Sequence, residues 1–283
     1  AKSFLSRHGI PTAPYRCFPQ AAELSPEAEA FIRQHALPLV IKKDRLAAGK
    51  GVKIAKTREE AVSFARAAIT EGDIVVEEFL SGDELTYTCI VSGGSVLPLA
   101  PSQDHKHLTN DPESPMTGGM GAYSPTPWLT TAVENRIMAE IVRPTVDALV
   151  REKIEYAGAL YFGLMLNEHG PQVLEFNCRL GDPEAEALLM RLTSDLVPVL
   201  LDTARGELRP GTRLIWSQRP SFAVVMASPG YPQNPDIGFP ITIPSALAQR
   251  QSGTLRIFHA ATKRENGALL TAGGRVLVVA TLG

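Results

Sequence analysis

Two apolar, β-rich runs at residues 85–91 and 96–100 flank the triplet Ser92-Gly93-Gly94. A Gly-Gly pair supplies the positive φ angles of a tight reversal, so the two runs predict a hairpin. A hairpin forces antiparallel pairing, and no helix-length segment separates the runs as a βαβ crossover would require. This region is therefore a meander, and it excludes a uniformly parallel, doubly wound sheet for the chain.

The rest of the chain can be read against that antiparallel centre. Residues 27–36 predict a helix and 39–43 a short strand that ends in charge. Gly49-Lys50-Gly51 predicts a flexible turn, and 52–55 a returning strand. Thr57 with Glu60 forms a capping box for a helix running to Ala68, and 74–76 opens another strand. Residues 102–127, rich in Pro, Gly, Ser and Thr, read as one long loop of a length usually kept for function. Thr131 with Glu134 suggests a second capping box, opening a helix that Pro144 must kink or interrupt. Strands are expected at 160–166 and 173–177 around the turn 167–170, then a helix over 184–201 that breaks near Pro198. Past Arg209-Pro210-Gly211 the composition shifts to short strands, 222–227 and 276–280, between Pro- and Gly-rich connections. A domain boundary is expected near 213, giving domains 1–213 and 214–283, and the class is α+β. No repeat of solenoid period is visible.

Composition narrows the partners. Hydrophobic residues make up 44% and charged residues 20% of 283 positions, as in ordinary globular chains. The formal net charge is −2 with no long basic block, which argues against nucleic acid. No apolar stretch approaches the roughly 20 residues of a membrane span, so no membrane partner is expected. The three cysteines form no CxxC pair, which fits a reducing, cytoplasmic setting. The chain opens on Ala1 in mid-pattern, as a fragment would.

Several positions carry chemistry. Lys42 ends a strand just before the 46–52 loop, where an ammonium can meet phosphates as a point charge while Lys43 faces the other way. The loop's Gly49, Lys50 and Gly51 could fold amides over a phosphate as a hairpin lid, although the heptad lacks the glycine and hydroxyl of a Walker A loop. Glu77, Glu78, Phe79 and Leu80 pass from acidic to apolar and suit the edge of an adenine slot, with Glu84 able to accept ribose hydroxyls. Glu175 and Asn177 are two apart on a strand, so their oxygens share a face, the hard donor set that Mg²⁺ takes with water and phosphate completing the octahedron. Leu174, Phe176 and Cys178 should then face the core. Arg179 lies at the same edge and could neutralise a phosphate or carboxylate. His105 and His107 form an HxH pair with no later ligand cluster, too little for a zinc site.

Taken in order, IKKDRLAAGKGV, VVEEFLSGDE, SQDHKH with TGGMGAYSP, and LEFNCRLGDPE resemble the phosphoribosylamine–glycine ligase family of ATP-grasp enzymes. Near the end, RIFHAATK and TAGGRVLVV resemble that family's C-terminal domain. The resemblance implies an ATP-grasp fold, two α/β subdomains with largely antiparallel sheets, followed by part of a small β-rich domain. It implies ligation of glycine to phosphoribosylamine through glycyl phosphate, with ATP as co-substrate and Mg²⁺ or Mn²⁺ as cofactor. On this basis Lys42, Gly49, Lys50, Gly51, Glu77, Glu78, Phe79, Leu80 and Glu84 serve ATP, Glu175 and Asn177 the metal, and Arg179 with Lys50 the catalytic charge. Asp104, His105, Lys106, Gly118, Gly119, Met120, Gly121, Arg179, Asp182, Pro183 and Glu184 are expected to line the substrate site. The family also carries an N-terminal domain not seen here, and fusion to or association with other purine-synthesis enzymes stays open. So do two alternatives: another ATP-grasp carboxylate–amine ligase, and a nucleotide-binding fragment without turnover.

Overall fold

In a computed structural model of the chain, residues 1–45, 51–111, 114–250 and 253–283 are described. They divide into two compact units, the first comprising Ala1–Asp83 with Met165–Leu174 and the second Glu84–Leu164 with Glu175–Gly283.

The first unit is built from α1 (Lys2–Arg7), β1 (Tyr15–Phe18), α2 (Pro26–Gln34), β2 (Leu39–Lys43), β3 (Val52–Ala55), α3 (Arg58–Ile69) and β4 (Ile74–Glu78). Its sheet has the order β1-β4-β2-β3, antiparallel throughout. Ile41, Leu39, Ile74 and Val76 point from the sheet into a core shared with Ala61, Ala65 and Ala68 of α3 and Ile32 of α2. The alanines let α3 lie close against the strands, because a methyl group takes little room between helix and sheet. Thr57 caps α3 by accepting from the Glu60 amide, and the Glu60 carboxylate returns a bond to the Lys56 amide at 3.0 Å, one residue before the expected partner. Ser25 caps α2, with Pro26 in the first turn where its missing N–H costs nothing.

The second unit begins with the expected hairpin, β5 (Asp83–Ser92) and β6 (Ser95–Pro98), whose turn residues Gly93 and Gly94 have φ of 56° and 86°. It continues with β7 (Gln103–His107), β8 (Met116–Ser124), α4 (Thr131–Arg136), a π-helical turn (Ile137–Val142), α5 (Arg143–Arg151), β9 (Ala157–Asn167) and β10 (Gly170–Asn177). The 165–174 end of the β9–β10 hairpin counts with the first unit. Then follow α6 (Glu184–Arg191), α7 (Val197–Arg205), β11 (Ser221–Ala227), α8 (Ser245–Arg250), β12 (Leu255–His259), β13 (Thr262–Glu265), β14 (Ala268–Thr271) and β15 (Arg275–Leu282). One sheet runs β10-β9-β5-β6, a second β12-β15-β11-β8-β7, and β13-β14 form a ribbon. Small residues dominate where α6 meets the second sheet: Ala122, Ala187, Ala223 and Ala280 pack with Val225 and Val278.

Two expectations are corrected. The 102–127 segment is not one loop, since β7 and β8 lie within it, and β8 takes its long-range partner from β11, pairing Ala122 with Ala223. A Cβ at Gly121 would stand 2.9 Å from the Ala223 carbonyl oxygen, so the glycine that reads locally as loop is what lets the strands approach. The second helix is capped by Thr130 through the Val133 amide, and Glu134 instead accepts the Tyr87 hydroxyl. The interruption expected at Pro144 is present: the α-helix gives way to the π turn 137–142 and restarts at Arg143 with Pro144 in its first turn, where the missing donor costs little. The break expected near Pro198 is also present: α6 ends at Arg191, Leu192 bridges to Trp216, and the helix restarts at Val197 with Pro198 in the first turn of α7. No helix of the described residues is long and apolar enough to cross a membrane.

Candidate active site

Each unit gathers charged side chains at the ends of its strands. In the first, the alternation of β2 sends its two terminal lysines apart. Lys43 turns to Glu71, at 2.9 Å, and lies over the Phe64 ring. Lys42 turns to Glu77 of β4, a carboxylate only 3% exposed. Lys42 Nζ pairs with Oε1 of Glu77 while Lys2 Nζ pairs with Oε2, so two ammonium groups share one buried carboxylate. Lys42 also donates to the Leu174 carbonyl at 3.1 Å, and Lys2 to the Thr12 hydroxyl at 2.7 Å. Burial pulls the Lys2 pKa down, with Glu77 opposing it. The Glu77 side chain is thus committed to lysines. The Glu78 amide donates to the Pro14 carbonyl and its side chain is exposed, as is Phe79, while Leu80 is half-buried. Gly51 accepts from the Lys43 amide at 2.8 Å, whereas Gly49 and Lys50 lie outside the described residues.

In the second unit, β7 presents Asp104 and Lys106 to the same side. Lys106 Nζ lies 3.0 Å from Glu84 and 3.9 Å from Asp104. Burial and the charge of Glu184 push the Asp104 carboxyl up to about 7. Burial alone would lower Lys106, but Glu84, Tyr161, Asp104 and Glu175 outweigh it and raise its pKa. The Thr86 hydroxyl sits 3.1 Å from Glu184 and 3.0 Å from the Tyr161 hydroxyl, a buried polar set with no local sequence signal beyond the alternation of β5 and β9.

Glycines bring the neighbouring segments into this cluster. Gly119 has φ of 116°, and a Cβ there would stand 2.7 Å from Pro183 Cδ and 2.8 Å from Asp104 Oδ1. A Cβ at Gly181 would lie 2.4 Å from the Glu184 carboxylate. Gly118, Gly119, Asp104, Asp182, Pro183 and Glu184, far apart in sequence, therefore meet. Met120 and Gly121 continue β8 beside them.

Glu175 and Asn177 share one face of β10 as expected, Asn177 Nδ2 donating to Glu175 Oε1 at 3.3 Å. Phe176, on the other face, meets Phe162 edge-on at 5.4 Å. Gly163 makes room, since a Cβ there would approach Glu175 Cγ to 3.0 Å. Cys178 is exposed, not turned inward, because the strand and its parity end at Asn177. Arg179 is exposed and donates to the Leu180 carbonyl, so its guanidinium stands apart from the Lys106 cluster's hydrogen bonds. His105 is on a strand and stacks on Tyr123. Among the described residues no three His, Cys, Asp or Glu side chains cluster as a metal cage.

Residues 1–185 match the family model for the ATP-grasp (A) domain of phosphoribosylglycinamide synthetase, and residues 221–283 match its C domain. The chain belongs to the phosphoribosylglycinamide synthetase family. It is 48% identical to the phosphoribosylamine–glycine ligase of Allochromatium vinosum and 45% identical to that of Escherichia coli, over 100% of this chain in both cases. It spans 66% of the length of each of those relatives. The crystal structure of phosphoribosylamine–glycine ligase from Thermotoga maritima superposes with a TM-score of 0.86 at 32% identity, covering 100% of this chain and 70% of that one. A more distant likeness, TM-score 0.69 at 15% identity, is to N5-carboxyaminoimidazole synthase from Aspergillus clavatus, solved with ADP and an aminoimidazole ribonucleotide; it covers 100% of this chain and 67% of that one and speaks to the fold alone. The chain thus has the ATP-grasp fold with antiparallel sheets, followed by C-domain sequence.

Proposed function

We propose that the full-length protein ligates glycine to 5-phosphoribosylamine, converting ATP to ADP and phosphate and yielding glycinamide ribonucleotide for purine synthesis. The observation that carries this reading is the collinear similarity, across the whole chain, to relatives named phosphoribosylamine–glycine ligase. A glycine carboxylate oxygen attacks the γ-phosphorus, ADP leaves, and glycyl phosphate forms. The amine nitrogen then bonds to the acyl carbon, loses a proton, and expels phosphate carrying that carboxylate oxygen.

The side chains suit these steps. Lys42, with Lys50 and Gly49–Gly51 of the adjoining loop, answers the charge of the phosphates; the strand end at 77–80 receives adenine and Glu84 the ribose. Glu175 and Asn177 fit a hard cation, being carboxylate and amide oxygens on one face, and Mg²⁺ or Mn²⁺ held there would neutralise phosphate charge. Asp104, with a carboxyl that titrates near neutrality, is suited to take the amine proton. His105, Lys106, Gly118–Gly121, Arg179 and Asp182–Glu184 line the glycine and amine site. The ATP-grasp domain is taken to run to about 213, with the C domain beyond, in a cytoplasmic enzyme.

Glycine labelled with ¹⁸O in its carboxylate tests the route. Turnover of the full-length protein with ATP and phosphoribosylamine should give ¹⁸O-labelled phosphate. Unlabelled phosphate rules out the acyl phosphate, and ADP release driven equally by other carboxylates rules out glycine as the specific substrate.

A further inference from the structure

Arg275 opens β15 directly after Gly273-Gly274 and reaches segments that the proposed reaction assigns to substrate. Its Nη1 donates to the Gly118 carbonyl at 2.9 Å, the Gly119 carbonyl at 3.3 Å and the Asp182 carbonyl at 2.7 Å, and its Nη2 lies 3.3 Å from Asp182 Oδ2. One guanidinium thus bridges the glycine-rich part of β8 to the turn that leads into α6. A second contact comes from the same quarter, because the Tyr231 hydroxyl accepts from the Gly118 amide at 3.1 Å. That ring can reach Gly118 only because Gly274 has no side chain: a Cβ there would fall 2.2 Å from Tyr231 Cδ2. Gly118 is therefore held at both its amide and its carbonyl by residues of the C-domain match.

The consequence reaches Asp104. The Gly119 backbone sits so near Asp104 Oδ1 and Pro183 that no Cβ fits, and Arg275 fixes that backbone from its other side. We propose that Arg275 is a positioning residue: it clamps 118–119 to Asp182 and so sets the place of Asp104 and the 181–184 turn for the amine-transfer half of the reaction, while taking no part in holding ATP. The proposal rests on the assigned reaction. A planar guanidinium holds Nη1 on the carbonyls and Nη2 toward Asp182 Oδ2 in one fixed arrangement, which a single ammonium nitrogen on a flexible stem does not.

Arg275→Met and Arg275→Lys in the full-length protein test this by two readouts. Amide hydrogen exchange without substrate should accelerate across 117–121 and 181–184 in Arg275→Met and less in Arg275→Lys. In steady-state kinetics kcat/KM for phosphoribosylamine should fall about a hundredfold in Arg275→Met, the scale of loss when a reacting group is displaced by an ångström. The KM for ATP should stay within about twofold, and Arg275→Lys should recover part of the loss. Unchanged exchange in both segments, or a KM for ATP that rises in step with that for the amine, overturns the proposal. If Arg275→Met does not fold, the lysine variant carries both readouts. Absence of glycine-dependent turnover in the unaltered protein would sink the reaction, and the exchange arm would still decide whether the clamp exists.

Discussion

The first unit sets two ammonium groups on one carboxylate, Lys2 and Lys42 on Glu77; the second sets three carboxyl groups, Glu84, Asp104 and Glu175, about one ammonium, Lys106. Each cluster is built about a buried carboxyl group on a strand, Glu77 of β4 and Asp104 of β7. They differ in the sign of what is left over. A surplus of positive charge suits phosphate, and a surplus of carboxyl groups suits a cation or an amine that must lose a proton. In the proposed reaction, which joins an anion to an amine, the two clusters would therefore meet groups of opposite charge.

The assignment of cations to the second unit breaks first if its proposed metal pair is idle. Glu175→Gln and Asn177→Leu should each lower Mg²⁺-dependent turnover of the full-length protein on the order of 10²–10³-fold, the scale of several kcal/mol of charge neutralisation at a transferring phosphoryl group. The fold should survive, since Glu175 is exposed and Asn177 only half-buried. An unchanged dependence of rate on Mg²⁺ concentration in both variants would remove the pair from the site.

The next test probes whether the first cluster is as tightly bound as its burial implies. Glu77→Gln leaves Lys2 and Lys42 facing each other with no carboxylate, and Lys2 is only 8% exposed. Removing one member of a buried ion cluster typically costs about 3–5 kcal/mol, because the remaining charge has lost both water and partner. Urea unfolding should show about 3 kcal/mol of that loss. A change below about 0.5 kcal/mol would mean that water already screens the cluster as at an exposed pair, and the contrast between the units would shrink to one of composition.

How much of this can be seen in the residues alone depends on the distance over which each signal acts. The β5–β6 turn, the Thr57 cap and the shared face of Glu175 and Asn177 are local, and each is legible from the sequence. The β7 and β8 strands are not, because the glycines of β8 look like loop until β11 arrives to pair with it, about a hundred residues later in the chain, and β7 in turn pairs with β8. The resemblance to a family points to Asp104 and Glu184, but not to the rise in the Asp104 pKa that burial and the Glu184 charge cause. Lys2 reads as an ordinary helix lysine, and only the fold brings it to Glu77. Arg275 is the hardest to see, since it recognises backbone carbonyls, which carry no residue signature.

The smallest expected effect also separates the two clusters, since the carboxyl group raised to about 7 is in the second. Asp104 ordinarily titrates at 3.8 and is pushed up to about 7 by burial and Glu184. Between those two values the folded protein keeps a proton that the unfolded chain has released. Stability therefore falls as pH rises through this window, and the full burden of the buried charge is present above about 7. Asp104→Asn keeps the shape and drops the charge, so it should stabilise the protein by about 2 kcal/mol at pH 8, less than the pKa displacement alone converts to, because the carboxamide is itself a polar group that must be buried. Near pH 4 the aspartic acid is already neutral, and the gain should vanish. Urea unfolding at the two pH values reads this difference, and an equal gain at both would show that Asp104 is ionised throughout. The same substitution should remove the limb near pH 7 from the kcat/KM profile for phosphoribosylamine, since the proton acceptor is gone. A limb that persists would place the proton transfer on another group and leave Asp104 only its part in the electrostatics of Lys106.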